Sequence, residues 1–281
     1  VLDFGTQDFE DLTWDRACTG FLPTYAANAY YHGHNADRTL EDVLDEAEGF
    51  ADGPYRKALA AGHRLDPADR AQVVATVSRL TGLDVNYIER ADLRIEHVRF
   101  CTELLRSKCK AVGRIDGRYT GALPRRTYEV ADTDPSGDDT AAIFVHGFQH
   151  YLRSELDVTT ESQYNLGLLL YKNWDYKEFQ GCLVNVTDKL ERILRAQKGL
   201  RVRVEYAHPD LATPYVAARD TINHLKLDDH VLDRIEEAFF YTGHMPYVGC
   251  REEEADGIAT FIRTSQGAPK SDSQDELGNK N

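Results

Sequence analysis

The first third of the chain carries apolar residues at spacings of three and four, the repeat that is typical of amphipathic helices. Thr39 is placed to cap one such helix. The apolar face of that helix contains Leu40, Val43, Leu44, Ala47 and Phe50. Asp66, followed by a proline, predicts the start of a second helix, and Gly82 predicts its end. A third helix is predicted over residues 95–105. These elements indicate helices that pack on one another or on a further layer.

The pattern changes in the middle of the chain. Residues 113–139 are rich in glycine, proline, aspartate and serine. This composition predicts an irregular surface loop, which includes Asp134-Pro135-Ser136-Gly137. Further helical segments are predicted over residues 141–152 and 184–196.

The last third alternates strand and helix signals. Residues 200–206 alternate apolar and polar side chains, as a half-buried strand does. A helix over residues 212–225, a strand over 238–241 and a helix over 252–262 follow. This order predicts the end of a parallel α/β sheet.

Composition excludes some classes of partner. The chain has 281 residues, 42% hydrophobic and 28% charged, as in a globular protein of one or two domains. The formal net charge of -14 argues against nucleic acid as the main partner, because phosphate binding requires clustered lysine and arginine. No apolar run approaches the roughly 18 residues of a membrane span, so no membrane partner is predicted. The five cysteines are odd in number and lack a Cys-x-x-Cys pair, which predicts free thiols. A bridge between Cys101 and Cys109 is the minor alternative.

An acid and a base follow the two predicted strands. Asp210 comes after the first strand and His244 after the second. Loops at the carboxyl ends of parallel strands collect in one crevice, where an aspartate can orient an imidazole as the base for a serine hydroxyl. From the residues alone, the alternative is a helix-capping Asp210 and an ordinary loop histidine. The printed sequence contains no Gly-x-Ser-x-Gly elbow that would supply the serine.

Two other groups of residues are weaker candidates for a binding site. The pairs His32 and His34, and His146 and His150, have spacings that a metal could use, but neither has a carboxylate in a recognised ligand pattern. We expect solvated or loop histidines, and no metal or organic cofactor. The segment 113–118, with two arginines around Asp116, could bind an anionic substrate terminus, but a salt-bridged turn is the preferred interpretation.

Several segments together resemble a known family. The acid segment is Ala207-His208-Pro209-Asp210-Leu211-Ala212-Thr213-Pro214-Tyr215, and the base segment is Thr242-Gly243-His244-Met245-Pro246-Tyr247. Upstream segments with the same resemblance are residues 22–27, 30–33, 81–83, 93–95 and 113–118. Over roughly residues 1–262 the chain is similar to the bacterial branch of the serine carboxypeptidase family, within the α/β-hydrolase superfamily.

The resemblance implies an architecture. It predicts the C-terminal part of an α/β-hydrolase sheet with a large, mainly helical insertion that forms a cap. The expected divisions are residues 1–20, a strand end and loop that begin the core; 21–185, the insertion; 186–264, the core segment with the acid and base; and 265–281, a tail. Almost no apolar residue occurs in that tail, so it is predicted to be disordered.

The resemblance also implies site roles. Asp210 is the acid of a catalytic triad, His244 is the general base, and Met245 contacts substrate. The serine, the oxyanion loop and a glutamate beside the serine are expected upstream of Val1, in the same precursor or in a second chain. Pro209 has no amide N–H to donate beside the acid, so the sequence leaves the orientation of Asp210 open. Pro246 is expected to reshape the pocket wall.

The implied activity is that of a serine-type carboxypeptidase, which acts through an acyl-enzyme on peptides with a free C-terminus. The chain alone is expected to be inactive because it carries no nucleophilic serine. The alternatives are a binding protein whose chemistry has lapsed, or an esterase or acyltransferase on the same fold. The compartment is left open, with secretion or a periplasmic location among the options.

Overall fold

Helices and short strands succeed one another in the computed structural model, which describes residues 2–3, 15–160, 162, 164 and 173–267. The helices are α1 (Asp15–Tyr31), α2 (Leu40–Phe50), α3 (Arg56–Ala61), α4 (Pro67–Thr81), α5 (Val85–Arg90), α6 (His97–Glu103), α7 (Pro135–Ser154), α8 (Thr187–Ala196), α9 (Tyr215–Asn223), α10 (Asp229–Leu232), α11 (Pro246–Gly249) and α12 (Arg251–Gly267). The strands are β1 (Lys110–Val112), β2 (Thr120–Ala122), β3 (Val202–Ala207) and β4 (Ile235–Phe240). The chain is therefore mixed α/β, which confirms the predicted class at that level.

Helix α1 lies in the largest apolar core. Its residues 17–29 are all buried, and it contacts α2, α4 and α9. The ring of Tyr25 stacks on Phe100 of α6 with 4.1 Å between centroids, and its hydroxyl donates to the carbonyl of Ile95 at 2.8 Å. Burial of the ring stabilises the core, and the paired hydroxyl avoids the cost of a buried, unsatisfied polar group.

The helix boundaries predicted from capping residues are confirmed in this part. The Thr39 side chain accepts from the amide of Asp42 at 3.1 Å, and α2 begins at Leu40. The Asp66 carboxylate accepts from the amide of Ala68 at 2.8 Å, with Pro67 as the first residue of α4. Gly82 ends α4 in the left-handed conformation.

The loop predicted around Asp134-Pro135-Ser136-Gly137 is wrong. Asp134 caps α7 by accepting from the amide of Ser136 at 3.0 Å, and Pro135 is the first helical residue. This is the same Asp-Pro start that opens α4. The surrounding glycine and serine suggested a loop, but they occupy a first turn in which they are tolerated.

Other boundaries also differ from the predictions. Residues 15–20, expected in a strand end and loop, belong to α1. Helix α9 begins at Tyr215 rather than at residue 212, because Thr213 precedes a proline and the helical conformation is disfavoured there. Residues 265–267, expected in the disordered tail, belong to α12, and residues 268–281 lie outside the described part.

The β3–β4 sheet carries the two predicted strands. They pair in parallel, with Val202 opposite Ile235 and Ala207 opposite Phe240. Within the described ranges, β3 pairs with β4 alone, and β1 pairs with β2 in a separate antiparallel sheet. Of the strand end predicted at the start of residues 1–20, Leu2 and Asp3 are described, and Asp3 forms an antiparallel bridge with Asn185. The crossover between β3 and β4 contains α9 and α10.

Helix α9 packs closely on α1. A Cβ atom placed on Gly20 of α1 would lie 2.9 Å from the Cβ of Ala217 in α9, so the two backbones approach where only a glycine fits. This contact joins α1 to α9, which lies in the crossover after β3.

Candidate active site

Asp210 and His244 lie together at the carboxyl ends of neighbouring parallel strands. Asp210 follows β3, His244 follows β4, and Nδ1 of the imidazole is 2.9 Å from Oδ2 of the carboxylate. This placement follows from topology, because parallel strands bring their carboxyl ends to the same edge of a sheet.

Local hydrogen bonds fix the orientation of Asp210. Its Oδ1 accepts from the backbone amides of Ala212 at 2.8 Å and Thr213 at 3.0 Å. The Thr213 hydroxyl donates to Oδ2 at 2.5 Å. The residue is 4% exposed. A short aspartate side chain that accepts from amides two and three residues ahead forms a tight turn, which here aims Oδ2 at the imidazole.

Pro209 does not prevent this arrangement. The amide of Asp210 donates to the carbonyl of Ala207 at 3.3 Å, and the carbonyl of Pro209 accepts from the amide of Gly117 at 3.2 Å. The donors that orient the carboxylate come from the residues after Asp210, so the amide that Pro209 lacks is not needed.

His244 is held at one ring nitrogen and open at the other. Nδ1 also lies 3.1 Å from the Thr213 hydroxyl oxygen, whereas Nε2 has no hydrogen-bond partner among the described residues. The side chain is 44% exposed. Because the carboxylate accepts, the hydrogen-bond network assigns the proton of the neutral ring to Nδ1 and leaves the lone pair on Nε2.

The electrostatic surroundings favour the protonated imidazole. The hydrogen bond to Asp210 and the charge of that carboxylate raise the pKa of His244, against opposing effects of burial and of Arg114. An imidazole with a raised pKa next to a fixed carboxylate can accept a proton at Nε2 and be stabilised as imidazolium. The pair can therefore serve as a general base and acid for a hydroxyl placed at Nε2.

A cavity of about 500 Å³ opens beside the pair. Asp210, Thr213, His244 and Pro246 contribute to its lining, together with the apolar side chains of Leu190, Val202, Val204 and Ile222. The consecutive residues 204–207 of β3 line it as well, so the cavity extends along that strand. Met245, predicted to contact substrate, is half-buried and is not among the lining residues, whereas Pro246 is.

Sequence reasoning missed Thr213, which bonds both members of the pair. Its spacing from Asp210 was the available signal, because a hydroxyl residue three positions after an aspartate is typical of a local turn. The salt-bridged turn preferred for residues 113–118 is confirmed, since Arg118 pairs with Asp116 at 2.7 Å.

The other chemically suggestive residues lie elsewhere. His32 bonds the carbonyl of Gly117 through Nε2 at 2.8 Å, and burial lowers its pKa. His146 and His150 are exposed on α7. Across the described ranges, no group of three or more His, Cys, Asp and Glu side chains is arranged to hold a metal ion. The thiols of all five cysteines are free, so the bridge between Cys101 and Cys109 is not formed. None of the helices in the described part is both long and apolar enough to cross a membrane.

Comparison with protein-family models, with curated proteins and with solved structures found no match to this chain.

Proposed function

We propose that this chain supplies the acid and the base of a serine-type hydrolase of the serine carboxypeptidase kind, on an α/β-hydrolase core with a helical insertion. The observation that carries the proposal is the 2.9 Å bond between His244 Nδ1 and Asp210 Oδ2, with Nε2 unbonded to any of the residues that the structure describes. The parallel pairing of β3 and β4, which puts both side chains at one edge of the sheet, supports it.

In this proposal each residue has a defined role. His244 takes the proton of a serine hydroxyl at Nε2 while the serine oxygen attacks a peptide carbonyl. Asp210 stabilises the imidazolium that forms, and His244 then returns the proton to the leaving amine. That amine is the C-terminal residue of the peptide, which leaves as the acyl-enzyme forms. Water, activated by the same base, then hydrolyses the acyl-enzyme, which releases the shortened peptide and regenerates the serine. No metal or organic cofactor takes part.

The serine and the oxyanion donors are proposed to come from polypeptide outside the printed sequence. The sequence contains no Gly-x-Ser-x-Gly elbow, and among the described residues β3 pairs with β4 alone. An unpaired strand edge presents backbone donors and acceptors that a neighbouring strand satisfies. The helices before residue 185 are proposed to cover the crevice and to limit access to peptide ends.

The test is labelling of the full-length protein that contains this sequence with a serine-directed fluorophosphonate, together with a peptidase assay. Wild type is expected to label on one serine and to release C-terminal residues. His244→Ala is expected to reduce the rate by about 10⁴-fold or more, and Asp210→Asn by about 10³- to 10⁴-fold. The control is His230→Ala, because His230 is exposed on α10, outside the Asp210–His244 pair.

Two outcomes separate the alternatives. Absence of labelling in a folded full-length protein would refute the serine mechanism and favour a binding protein. Labelling without release of C-terminal residues would support the serine mechanism and refute the peptide substrate, in favour of an ester or acyl-transfer substrate.

A further inference from the structure

The turn between β1 and β2, residues 113–119, lies against the loop that carries His244. The two segments are more than 120 positions apart, since the Asp116 carboxylate and the Gly243 amide are separated by 127. This contact joins the turn between β1 and β2 to the carboxyl end of β4.

Four successive residues of the base loop are tied to this turn. Arg118 donates to the carbonyl of Tyr241 at 3.0 Å and to the hydroxyl oxygen of Thr242 at 2.7 Å. The amide of Gly243 donates to Oδ2 of Asp116 at 3.2 Å. The amide of His244 donates to the carbonyl of Ile115 at 2.8 Å. The turn thus holds the main chain that leads to the imidazole at four successive residues.

The Asp116–Arg118 pair has the geometry of a rigid support. Arg118 Nε donates to Oδ1 at 2.9 Å and a terminal nitrogen donates to Oδ2 at 2.7 Å, so the guanidinium forms a forked pair with the carboxylate. The Asp116 side chain is 9% exposed and that of Arg118 is 21% exposed. A planar, charge-assisted fork in a largely buried position restricts motion more than an exposed ion pair does.

Gly243 shows how close the approach is. A Cβ atom placed on it would lie 2.2 Å from the Cβ of Asp116, so a side chain at residue 243 would force the two segments apart. The contact therefore sets the position of the backbone next to His244, as well as bonding to it.

We propose that the Asp116–Arg118 pair is a positioning element for the base, which holds residues 241–244 so that His244 Nδ1 stays within hydrogen-bond distance of Asp210. Neither residue touches the imidazole, and each acts through the loop. The consequence for catalysis rests on the function proposed above, whereas the consequence for the His244–Asp210 bond does not.

The test measures the pKa of His244 by NMR in the full-length protein, with the imidazole signal assigned by His244→Gln. In Arg118→Met the loop loses its bonds to Tyr241 and Thr242, the bond to Asp210 weakens, and the pKa of His244 is expected to fall by about 0.5 to 1 unit. Direct electrostatics predicts the opposite sign, because removal of a nearby positive charge raises the pKa of an imidazole. The direction of the change therefore separates positioning from a charge effect.

Two further variants complete the design. Arg118→Lys keeps the charge but loses the fork, so it is expected to give a smaller fall of the same sign. In an Asp210→Asn background, Arg118→Met is expected to leave the pKa of His244 without a further fall, because the bond through which it acts is already lost. The control is Arg56→Met, which breaks the exposed pair between Arg56, the first residue of α3, and Asp52.

The outcomes decide the proposal. A folded Arg118→Met protein with an unchanged or raised pKa for His244 would overturn the proposal. A further fall in the pKa of His244 when Arg118→Met is added to Asp210→Asn would also overturn it. Should Arg118→Met fail to fold, Arg118→Lys answers the same question. If full-length protein hydrolyses peptides, Arg118→Lys is expected to lower kcat by about ten- to a hundredfold with KM little changed. If labelling fails while the pKa of His244 falls, the proposed function is wrong and the positioning role stands.

Discussion

The helical part around α1 and the β3–β4 unit are stabilised in different ways. In the helical part, large side chains such as Phe21, Tyr25 and Phe100 are fully buried and pack on one another. In β4, Phe240 is buried but Phe239 is 40% exposed. The base loop after β4 is held instead by hydrogen bonds from the turn at residues 113–119. Apolar burial is spread over many contacts, whereas a polar network depends on each partner.

Substitutions in the two parts are therefore expected to have different effects on the stability of the fold and on the shape of the site. Loss of one core side chain lowers the stability of the whole fold while the site keeps its shape until unfolding. Loss of one polar partner changes the site at a smaller cost in overall stability. Three measurements test this contrast, and they are given in decreasing order of expected effect.

The first compares one phenylalanine from each part. Phe100 is 0% exposed and stacks on Tyr25, so Phe100→Ala is expected to lower the free energy of unfolding by about 3–5 kcal/mol. Phe239 is 40% exposed, so Phe239→Ala is expected to cost about 1 kcal/mol. Urea unfolding followed by circular dichroism measures both values. Equal costs would mean that the β3–β4 unit has an apolar core comparable with that around α1.

The second concerns the bonds that join the two parts. Glu48 of α2 accepts from the buried hydroxyl of Tyr215 at 2.8 Å and pairs with Arg219 of α9. Glu48→Ala leaves that hydroxyl unsatisfied and is expected to lower the free energy of unfolding by about 2 kcal/mol.

The matched control removes a carboxylate from an exposed pair. Asp52→Ala breaks the bond to Arg56, and the Asp52 side chain is 72% exposed, so it is expected to cost about 0.5 kcal/mol or less. Indistinguishable urea midpoints for the two variants would contradict the view that Glu48 joins α2 to α9.

The third uses pH and has the smallest expected effect. The pKa of His244 is raised in the folded protein. Its pair with Asp210 therefore stabilises the fold fully below the unfolded-state pKa of about 6.5, and this contribution is lost as pH rises through the folded-state pKa. The stability difference between wild type and His244→Gln is expected to be larger at about pH 5.5 than at about pH 8.5.

Because the His244 side chain is 44% exposed, the change is expected to stay below about 1 kcal/mol. Urea midpoints at the two pH values measure it, and His230→Gln is the control for a histidine outside the pair. A difference that grows toward alkaline pH has the wrong sign for a raised pKa and would contradict the bond to Asp210.

Local signals in the sequence account for much of the fold. Thr39, Asp66 and Gly82 each act on a neighbouring turn, so the ends of α2 and α4 could be predicted from a few adjacent residues. Asp134 carries the same information as Asp66, but the glycine and serine beside it suggested a loop. Helix α9 begins at Tyr215, three residues after the predicted start, because the turn around Asp210 and the following Pro214 disfavour the helical conformation before it.

The site could be predicted only in part. Strand order explains why Asp210 and His244 are near each other, because both follow parallel strands. The contact of Asp116 with Gly243 joins residues 127 positions apart, and no local pattern encodes it. Its physical origin is the packing of the β1–β2 turn on the end of β4. The repeats of apolar residues that predict helices and strands carry no information about such packing.

The close crossing of α1 and α9 at Gly20 has a genetic consequence. Helix α9 begins directly after the turn that orients Asp210. A larger residue at position 20 would therefore displace α9 from α1 and move the Asp210 carboxylate away from His244. A random mutagenesis screen for loss of function should therefore recover substitutions at Gly20, in a helix that contributes no chemical group to the site.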